Sequence, residues 1–343
     1  MSKFYVVGGR AKPNLAKVGE FHGFAHGLIV LVDTETGQVQ ELVRWETPPD
    51  ACSSDNPSFV FKAGTFTSEG LWVCSQTELL CYSVPDFTVK HYISMPFFND
   101  LHHVAPTVRG TLLVAVTGLD MVAEVSMQSE LLRAWDVLGQ PLWTRFSSTV
   151  DYRKVVTTKP HLSHPNYVFA AGGDIWVTRF EQKDALCLTE QRTNVPVEAG
   201  FPHDGHVVGD QVYFTTVNGF LVVSNWRESR VVSTLDLNPI FKAPYGRPLG
   251  WCRGLKILSE DRVVIGFSRI RQTAIKNSVQ WVKERVTALT PQGPKSWRAL
   301  PTRLACIDLK RRAIEWEIDL ENFGMNAVFS IHDILRPEEP LRA

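Results

Sequence analysis

The sequence lacks the features that would place it at once in several large classes of protein. Its 36 Lys and Arg residues balance 36 Asp and Glu residues, so no charge excess points to a polyanionic partner such as nucleic acid. The six cysteines form no Cys-x-x-Cys pair, which argues against a zinc ribbon or a compact disulfide framework. Apolar runs such as 27–32 and 111–116 are far shorter than the ~20 residues that span a bilayer.

The first ten residues also lack a recognisable export signal. Export would require a basic segment followed by an apolar stretch, and the glycines at 8 and 9 interrupt any such stretch at once. We therefore expect a cytoplasmic protein that acts on a small molecule and contacts neither a membrane nor nucleic acid.

What the sequence does contain is a recurring β pattern. A Gly or Asp turn is followed by an alternating run of β-branched, aromatic and aliphatic residues, and then by further strand-like runs. The second strand of each unit is expected at 70–74, 110–116, 174–178, 210–215 and 261–266, and a third strand-like segment follows each of them. Each unit contains four antiparallel strands, and the units recur at intervals of roughly 35 to 65 residues, which is typical of a β-propeller.

The pattern predicts one all-β domain over residues 1–343, a six-bladed β-propeller. One blade is shared by the two ends of the chain, which closes the ring and leaves no open sheet edge. The expected blades are 326–335 with 3–46, then 59–95, 99–138, 161–199, 203–237 and 250–320. Seven blades are the alternative, if a degenerate unit lies in 139–163.

One segment of the last blade interrupts this pattern. Residues 270–302 form a basic insertion in which Ile275, Val279, Val282, Val286 and Leu289 follow a helical spacing. A solvated helix on the rim, a lid and a contact for homo-oligomer formation are the alternatives for this insertion.

Histidine is distributed unevenly along the chain. Seven of the ten histidines fall in four clusters, each just before or inside a β-like run: 102–103, 161–164, 203–206 and 332. The inner strands of a propeller line one central channel, so equivalent positions of different blades become neighbours. We therefore expect imidazoles that are remote in sequence to meet at one mouth of the channel.

Imidazole is a ligand for zinc, iron or copper rather than for calcium. The predicted ligands of one divalent transition metal (Fe, Zn, Cu or Mn) are His102 or His103, His164, His203 or His206, and His332. Asp204 and Asp333 would orient the ligands or act as a base. Metal-free His-Asp chemistry and purely structural hydrogen bonding are the alternatives.

Basic and aromatic residues near the same mouth suggest an organic anion as substrate. Arg253 occupies the position of the histidines in the blade that lacks one, where a guanidinium could hold a carboxylate or phosphate in a two-pronged hydrogen bond. Lys62 holds the matching position in another blade. Tyr152 and Arg153 lie on a long connection predicted to cross the mouth or the rim.

The repeat, seen best at 110–119 and 210–219, resembles the six-bladed propeller superfamily of SMP-30-like gluconolactonases and NHL-repeat proteins. The resemblance is one of fold. Gluconolactonases hold a divalent ion with Glu, Asn and Asp, whereas this chain has histidines there. Carotenoid-cleaving oxygenases, which bind iron through four histidines, and streptogramin lyases are further analogies.

These observations lead to one leading hypothesis and two alternatives. The first is a metal-dependent hydrolase or lyase in which the metal activates water. The second is a non-haem iron oxygenase with an all-histidine site. The third, from a different class, is a non-catalytic propeller that binds a protein or peptide partner.

Overall fold

The computed structural model describes residues 2–13, 23–241, 249–269 and 300–342. In these ranges the chain forms 24 β-strands and short 3-10 turns. The strands form six four-stranded sheets, so the predicted six-bladed propeller is confirmed. Among these residues, no helix is long and apolar enough to cross a bilayer.

The strands are numbered in chain order, and each sheet is one blade. Blade 1 contains β24 (Ala327–Asp333), β1 (Lys3–Ala11), β2 (Phe24–Asp33) and β3 (Val39–Trp45). Blade 2 contains β4 (Thr65–Thr67), β5 (Gly70–Cys74), β6 (Leu79–Tyr82) and β7 (Val89–Ile93). Blade 3 contains β8 (Leu101–Pro106), β9 (Thr111–Val116), β10 (Met121–Ser126) and β11 (Leu131–Asp136).

The remaining blades follow in sequence order. Blade 4 contains β12 (Pro165–Ala171), β13 (Asp174–Arg179), β14 (Asp184–Cys187) and β15 (Val195–Pro196). Blade 5 contains β16 (Pro202–Val208), β17 (Gln211–Thr216), β18 (Phe220–Asn225) and β19 (Arg230–Asp236). Blade 6 contains β20 (Trp251–Ser259), β21 (Arg262–Ser268), β22 (Arg303–Asp308) and β23 (Ala313–Asp319).

The two ends of the chain share blade 1, as the sequence predicted. β24 pairs antiparallel with β1, from Phe4 opposite Asp333 to Gly9 opposite Ala327. The alternative of a seventh blade is wrong, because 139–163 contributes only a 3-10 turn at Tyr152–Lys154. The insertion at 270–302 lies almost entirely outside the described residues, so its predicted helix and oligomer contact stay predictions.

The core lies between blades and consists of the alternating apolar residues of facing sheets. Phe4 and Val6 of blade 1 pack with Val264 and Leu304 of blade 6 in one buried cluster. All six cysteines are buried and free, and they occupy the core as small apolar residues. Apolar side chains are buried in this way between each blade and the next, and this packing fixes the inner strands around the axis.

The inner strands share a local irregularity near their beginnings. A register shift interrupts the pairing of five of them, at Leu101/His103, Pro165/Tyr167, His203/His206, Cys252/Leu255 and the Val328–Ser330 step of β24. A β-bulge leaves an extra residue unpaired and turns its side chain away from the regular alternation. The bulges therefore decide which histidines reach the axis.

Candidate functional site

A cavity of about 110 Å³ occupies the axis where the inner strands begin, and we call it the upper pocket. Its lining includes charged, imidazole and aromatic side chains, among them Lys62, Asp100, His102, Lys159, His164, Trp251, Arg253, Arg269 and Phe329. Asp100 is the one carboxylate among the described lining residues, against four cationic side chains, of which Lys62 pairs with Asp100 and Arg269 pairs with Glu321. The lining therefore carries more positive than negative charge, which favours an anion.

Lys62 and Asp100 form a buried ion pair on one wall of the upper pocket. Lys62 Nζ lies 3.0 Å from Asp100 Oδ1 and 5.2 Å from the centre of the Phe329 ring. Burial lowers the pKa of Lys62, and the adjacent carboxylate acts against this. Burial would raise the pKa of Asp100, but the Lys62 ammonium and nearby imidazoles hold it well below its usual range. The 3.0 Å contact between ammonium and carboxylate is that of a salt bridge, in which each group stabilises the charged form of the other.

His102 has a defined tautomer. Its Nδ1 lies 2.8 Å from the carbonyl oxygen of Asp100, and a carbonyl only accepts, so Nδ1 carries the proton and donates. Nε2 is then unprotonated, and it has no hydrogen-bond partner in the described part of the chain. Burial lowers the pKa of His102 well below its ordinary value. His102 is thus a neutral base with a lone pair at Nε2.

His164 reaches the same state through a chain of hydrogen bonds. The Thr158 hydroxyl donates to the carbonyl of Gly118, so it accepts from His161 Nε2 at 3.3 Å. His161 Nδ1 is then an acceptor and receives the proton of His164 Nδ1 at 3.0 Å. His164 Nε2 is left unprotonated, and burial lowers the pKa of this residue well below its ordinary value.

Asp120 holds His164 in place from the neighbouring blade. Its carboxylate accepts the backbone N–H groups of Leu162, Ser163 and His164 at 2.8 to 3.0 Å, together with a short contact from Arg145. His164 adopts a left-handed conformation with φ of 57°, which costs energy for a residue other than glycine. The three hydrogen bonds offset that cost and fix the ring, whose centre lies 4.7 Å from that of His102.

His203 and Arg253 form a second pair beside the pocket. Arg253 Nε donates to His203 Nε2 at 3.0 Å, so His203 is neutral and carries its proton on Nδ1. The guanidinium lies over the rings of Trp251 and Phe329, 5.3 and 4.9 Å from their centres. Stacking of this kind holds the planar group in one orientation.

The remaining predicted metal ligands do not reach the upper pocket. His103 lies between blades, where its Nδ1 accepts the N–H of Val168 at 3.1 Å and its ring stacks on Tyr167 at 3.7 Å. His206 and His332 lie further along their strands. The structure thus divides the six predicted ligands into two groups, because the bulges turn neighbouring histidines to different sides of the inner strands.

The other predicted residues are also placed by the structure. Asp204 accepts from the Thr215 hydroxyl inside blade 5, and Asp333 accepts the N–H of Leu335 at the far end of β24. Tyr152 is buried, and Arg153 pairs with Asp151 at 2.7 Å. None of these four residues is among the described residues that line the upper pocket. Arg253 and Lys62 do line it.

Sequence reasoning missed part of the site. The roles of Asp120, His161, Trp251 and Phe329 depend on contacts between blades. His161 stands in a cluster with His164, which was a usable signal. Nothing in the local sequence marks Phe329 as the surface against which both Lys62 and Arg253 lie.

The predicted metal site can be compared with this geometry. Within the described ranges, no group of three or more His, Cys, Asp or Glu side chains is arranged to hold an ion. His102 and His164 offer two unprotonated nitrogens, whereas His203 Nε2 is occupied by Arg253. Cys252 is buried beneath the strand, and burial raises the pKa of its thiol to about 12. The metal stays a prediction.

Comparisons with known proteins confirm the propeller and go no further. No protein-family model matches the chain, and no curated protein matches its sequence. A protein of unknown function from Bacteroides caccae is similar in structure, with 14% identity, a TM-score of 0.58, and coverage of 98% of this chain and 100% of that one. A chain of a nidogen/laminin complex follows with 8% identity, a TM-score of 0.55, and coverage of 96% and 97%.

A streptogramin B lyase is similar at a lower level, with 12% identity, a TM-score of 0.48, and coverage of 93% of this chain and 88% of that one. At such identities a structural likeness shows the fold alone. The fold and the site together define a six-bladed propeller with an electropositive, histidine-lined pocket on its axis. The resemblance to six-bladed propellers is confirmed as one of fold.

Proposed function

We propose that the upper pocket binds a small organic anion and removes a proton from it. The carboxylate or phosphate of the ligand lies against Lys62 and Arg253, and its apolar part lies against Trp251 and Phe329. His102 Nε2 and His164 Nε2 act as general bases. The observation that carries the proposal is the pair of neutral imidazoles whose hydrogen bonds leave both Nε2 atoms unprotonated.

The charges of the pocket support an anion rather than a cation. Arg253 and Lys62 are buried or stacked, so little entropy is lost when they bind a ligand. As the proton on the adjacent carbon leaves, negative charge develops on the oxygens of the ligand carboxylate, and Lys62 and Arg253 would stabilise that charge in the transition state. Lyases that act on carboxylates can begin by removing the proton from the carbon next to the carboxylate. Of the two activities in the leading hypothesis, hydrolase and lyase, this proposal therefore favours the lyase.

Hydrogen–deuterium exchange tests this function without knowledge of the product. A panel of carboxylates, including phenylacetate, succinate and lactate, is incubated with the protein in D₂O and followed by proton NMR. We expect loss of the signal next to the carboxylate for at least one member of the panel. We expect His102→Gln and His164→Gln each to reduce the exchange rate of the wild-type protein by about 100-fold, which would support both histidines as bases.

Two further measurements separate the alternatives. Arg253→Gln should weaken binding of the same carboxylate, seen as a smaller rise of the melting temperature, without unfolding the blade. Metal analysis of protein purified without a histidine tag tests the predicted transition metal, and about one equivalent per chain would favour the metal-dependent hypotheses. Absence of binding across the panel would favour the propeller that binds a protein or peptide partner.

A further inference from the structure

A second cavity, of about 460 Å³, occupies the opposite mouth of the axis, and we call it the lower chamber. The later residues of the inner strands and the C-terminal segment line it, including Thr65, Tyr167, His206, Lys256 and Glu338. Its volume lies within the roughly 300–1,000 Å³ of small-molecule sites. Val208 lines the chamber and is 47% exposed, so the chamber meets the protein surface.

The C-terminal segment forms a fixed floor of this chamber. After β24 it crosses blade 2, where the N–H of Glu338 donates to the carbonyl of Phe66 at 2.5 Å. It then reaches blade 3, where Leu341 donates to Pro106 at 2.8 Å and accepts from Val108 at 3.0 Å. These backbone hydrogen bonds hold Glu338 at the axis.

The Glu338 carboxylate is oriented by a buried chain of hydrogen bonds. Its Oε1 lies 3.2 Å from His332 Nδ1, and His332 Nε2 lies 2.9 Å from the Ser330 hydroxyl. Burial would raise the pKa of Glu338, but the hydrogen bond to His332 and the charge of Lys256 bring it to about 2. Glu338 is therefore an ionised acceptor at neutral pH.

Three polar side chains of the chamber can bond to a ligand. Lys256 Nζ lies 3.6 Å from Glu338 Oε1, an ion-pair distance that is too long for a hydrogen bond. The Tyr167 hydroxyl forms no hydrogen bond with the described residues, and His206 Nε2 lies 3.9 Å from Asp204 Oδ1. Because the chamber meets the protein surface, a polar ligand would replace the water that these groups otherwise contact.

We propose that the lower chamber is a second binding site, for a small zwitterion such as an amino acid. The ligand carboxylate accepts from Lys256 and Tyr167, and its ammonium group donates to Glu338. Lys256 and Glu338 present one charge of each sign side by side, so a molecule with one charge of each sign can pair with both. The exposed Glu339 also lines the chamber and further disfavours a net anion. This site does not depend on the function proposed for the upper pocket.

Calorimetric titration with three matched probes tests the site. L-Alanine carries both charged groups, propionate lacks the ammonium group and ethylamine lacks the carboxylate. Larger neutral amino acids extend the series to ligands that fill the chamber better. We expect at least one amino acid to bind in the millimolar range or tighter, and propionate and ethylamine to bind about 10-fold more weakly.

Three variants locate the binding. Lys256→Met and Tyr167→Phe should each weaken amino-acid binding by about 10-fold, and the phenylalanine keeps the stacking on His103. Lys310→Met, at an exposed lysine of blade 6 that lines neither cavity, is the matched control and should leave it unchanged. Circular dichroism and the melting temperature show that each variant is folded. Failure of every amino acid to bind, propionate binding of equal affinity that Lys256→Met weakens to the same extent, or full amino-acid affinity in folded Lys256→Met would each overturn the proposal.

Discussion

His102 and His103 are adjacent in sequence, yet they lie in opposite surroundings. The bulge in β8 leaves His102 unpaired at the upper pocket, with one nitrogen available to a ligand. His103 pairs with Ala115, and its Nδ1 accepts a backbone N–H from blade 4. His103 Nε2 also lies 3.5 Å from the Thr65 hydroxyl of blade 2. His102 is therefore suited to chemistry, whereas His103 joins three blades.

We predict that His103→Ala destabilises the protein by about 2–4 kcal/mol, because it leaves a cavity and an orphaned N–H at Val168. Urea denaturation measures the change in the free energy of unfolding. His91→Ala on the exposed face of β7 is the control and should cost less than about 1 kcal/mol. A cost for His103→Ala no larger than that of the control would show that this imidazole has no structural role.

The residue scale also shows where sequence reasoning reached its limit. The four histidine clusters and Arg253 were identified from their equivalent positions in the repeat, and the structure brings His102, His164, His203 and Arg253 to the upper end of the axis. Which histidine of the pairs His102/His103 and His203/His206 faces the upper pocket depends on the β-bulges. A bulge of one residue leaves no mark in the alternation of apolar and polar residues along the sequence. The role of Glu338 depends on where the last ten residues cross the ring.

At the scale of elements, the connection between blades 3 and 4 is held by a single carboxylate. Asp120 accepts three consecutive N–H groups from 162–164 and is 1% exposed. We predict that Asp120→Ala speeds amide hydrogen exchange at these residues by at least about 10-fold, because each amide loses its acceptor. Mass spectrometry of exchanged peptides measures this change.

Asp210→Ala provides the control for this experiment. Asp210 pairs with Arg227 on the surface of blade 5, and both side chains are more than half exposed. This variant should leave the exchange of 162–164 unchanged. Unaltered exchange in Asp120→Ala would mean that other contacts hold the turn that carries His164.

The entry of the chain into β4 depends on a glycine. A Cβ at Gly64 would lie 1.8 Å from the carbonyl oxygen of Trp72, so any side chain there separates the inner strand from β5. We predict that Gly64→Ala costs about 3 kcal/mol or more in the free energy of unfolding. Gly37→Ala is the matched control, since Gly37 has φ of 69° and open space around it, and it should cost about 1–2 kcal/mol. Equal costs would contradict this explanation.

At the scale of the whole molecule, the buried histidines make stability depend on pH. Burial lowers the pKa of His103 from 6.5 to about 3, and it lowers those of His102, His164, His203 and His332 as well. The unfolded chain therefore binds more protons than the folded chain below about pH 6.5.

We predict that the free energy of unfolding falls as the pH drops from about 6.5 towards 3. The fall is at most about 1.4 kcal/mol per pH unit for each such histidine. Urea denaturation at pH 7.5, 6.5, 5.5 and 4.5 measures the slope. His103→Gln should make the dependence of the free energy of unfolding on pH less steep, whereas His91→Gln, the control, should leave it unchanged. A free energy of unfolding that does not change with pH over this range would contradict the burial of these rings.

The fold was predictable to a large extent because a propeller repeats one pattern. The strands of blades 2, 3, 5 and 6 and the split blade were placed by alternation and turns, each of which is local in sequence. The short inner strand β4 and the two-residue β15 are defined by contacts with neighbouring blades, which no local pattern reports.

The shared blade has a consequence for the order in which the protein is made. Synthesis runs from the N-terminus, so β1 to β3 leave the ribosome before β24 and keep an open edge until β24 follows. The channel is sealed, and His332 and Glu338 arrive, only after the other five blades have been synthesised. Chains that have not yet formed β24 therefore expose an unpaired sheet edge, which can pair with other chains and aggregate. A chaperone that binds nascent chains would protect this edge.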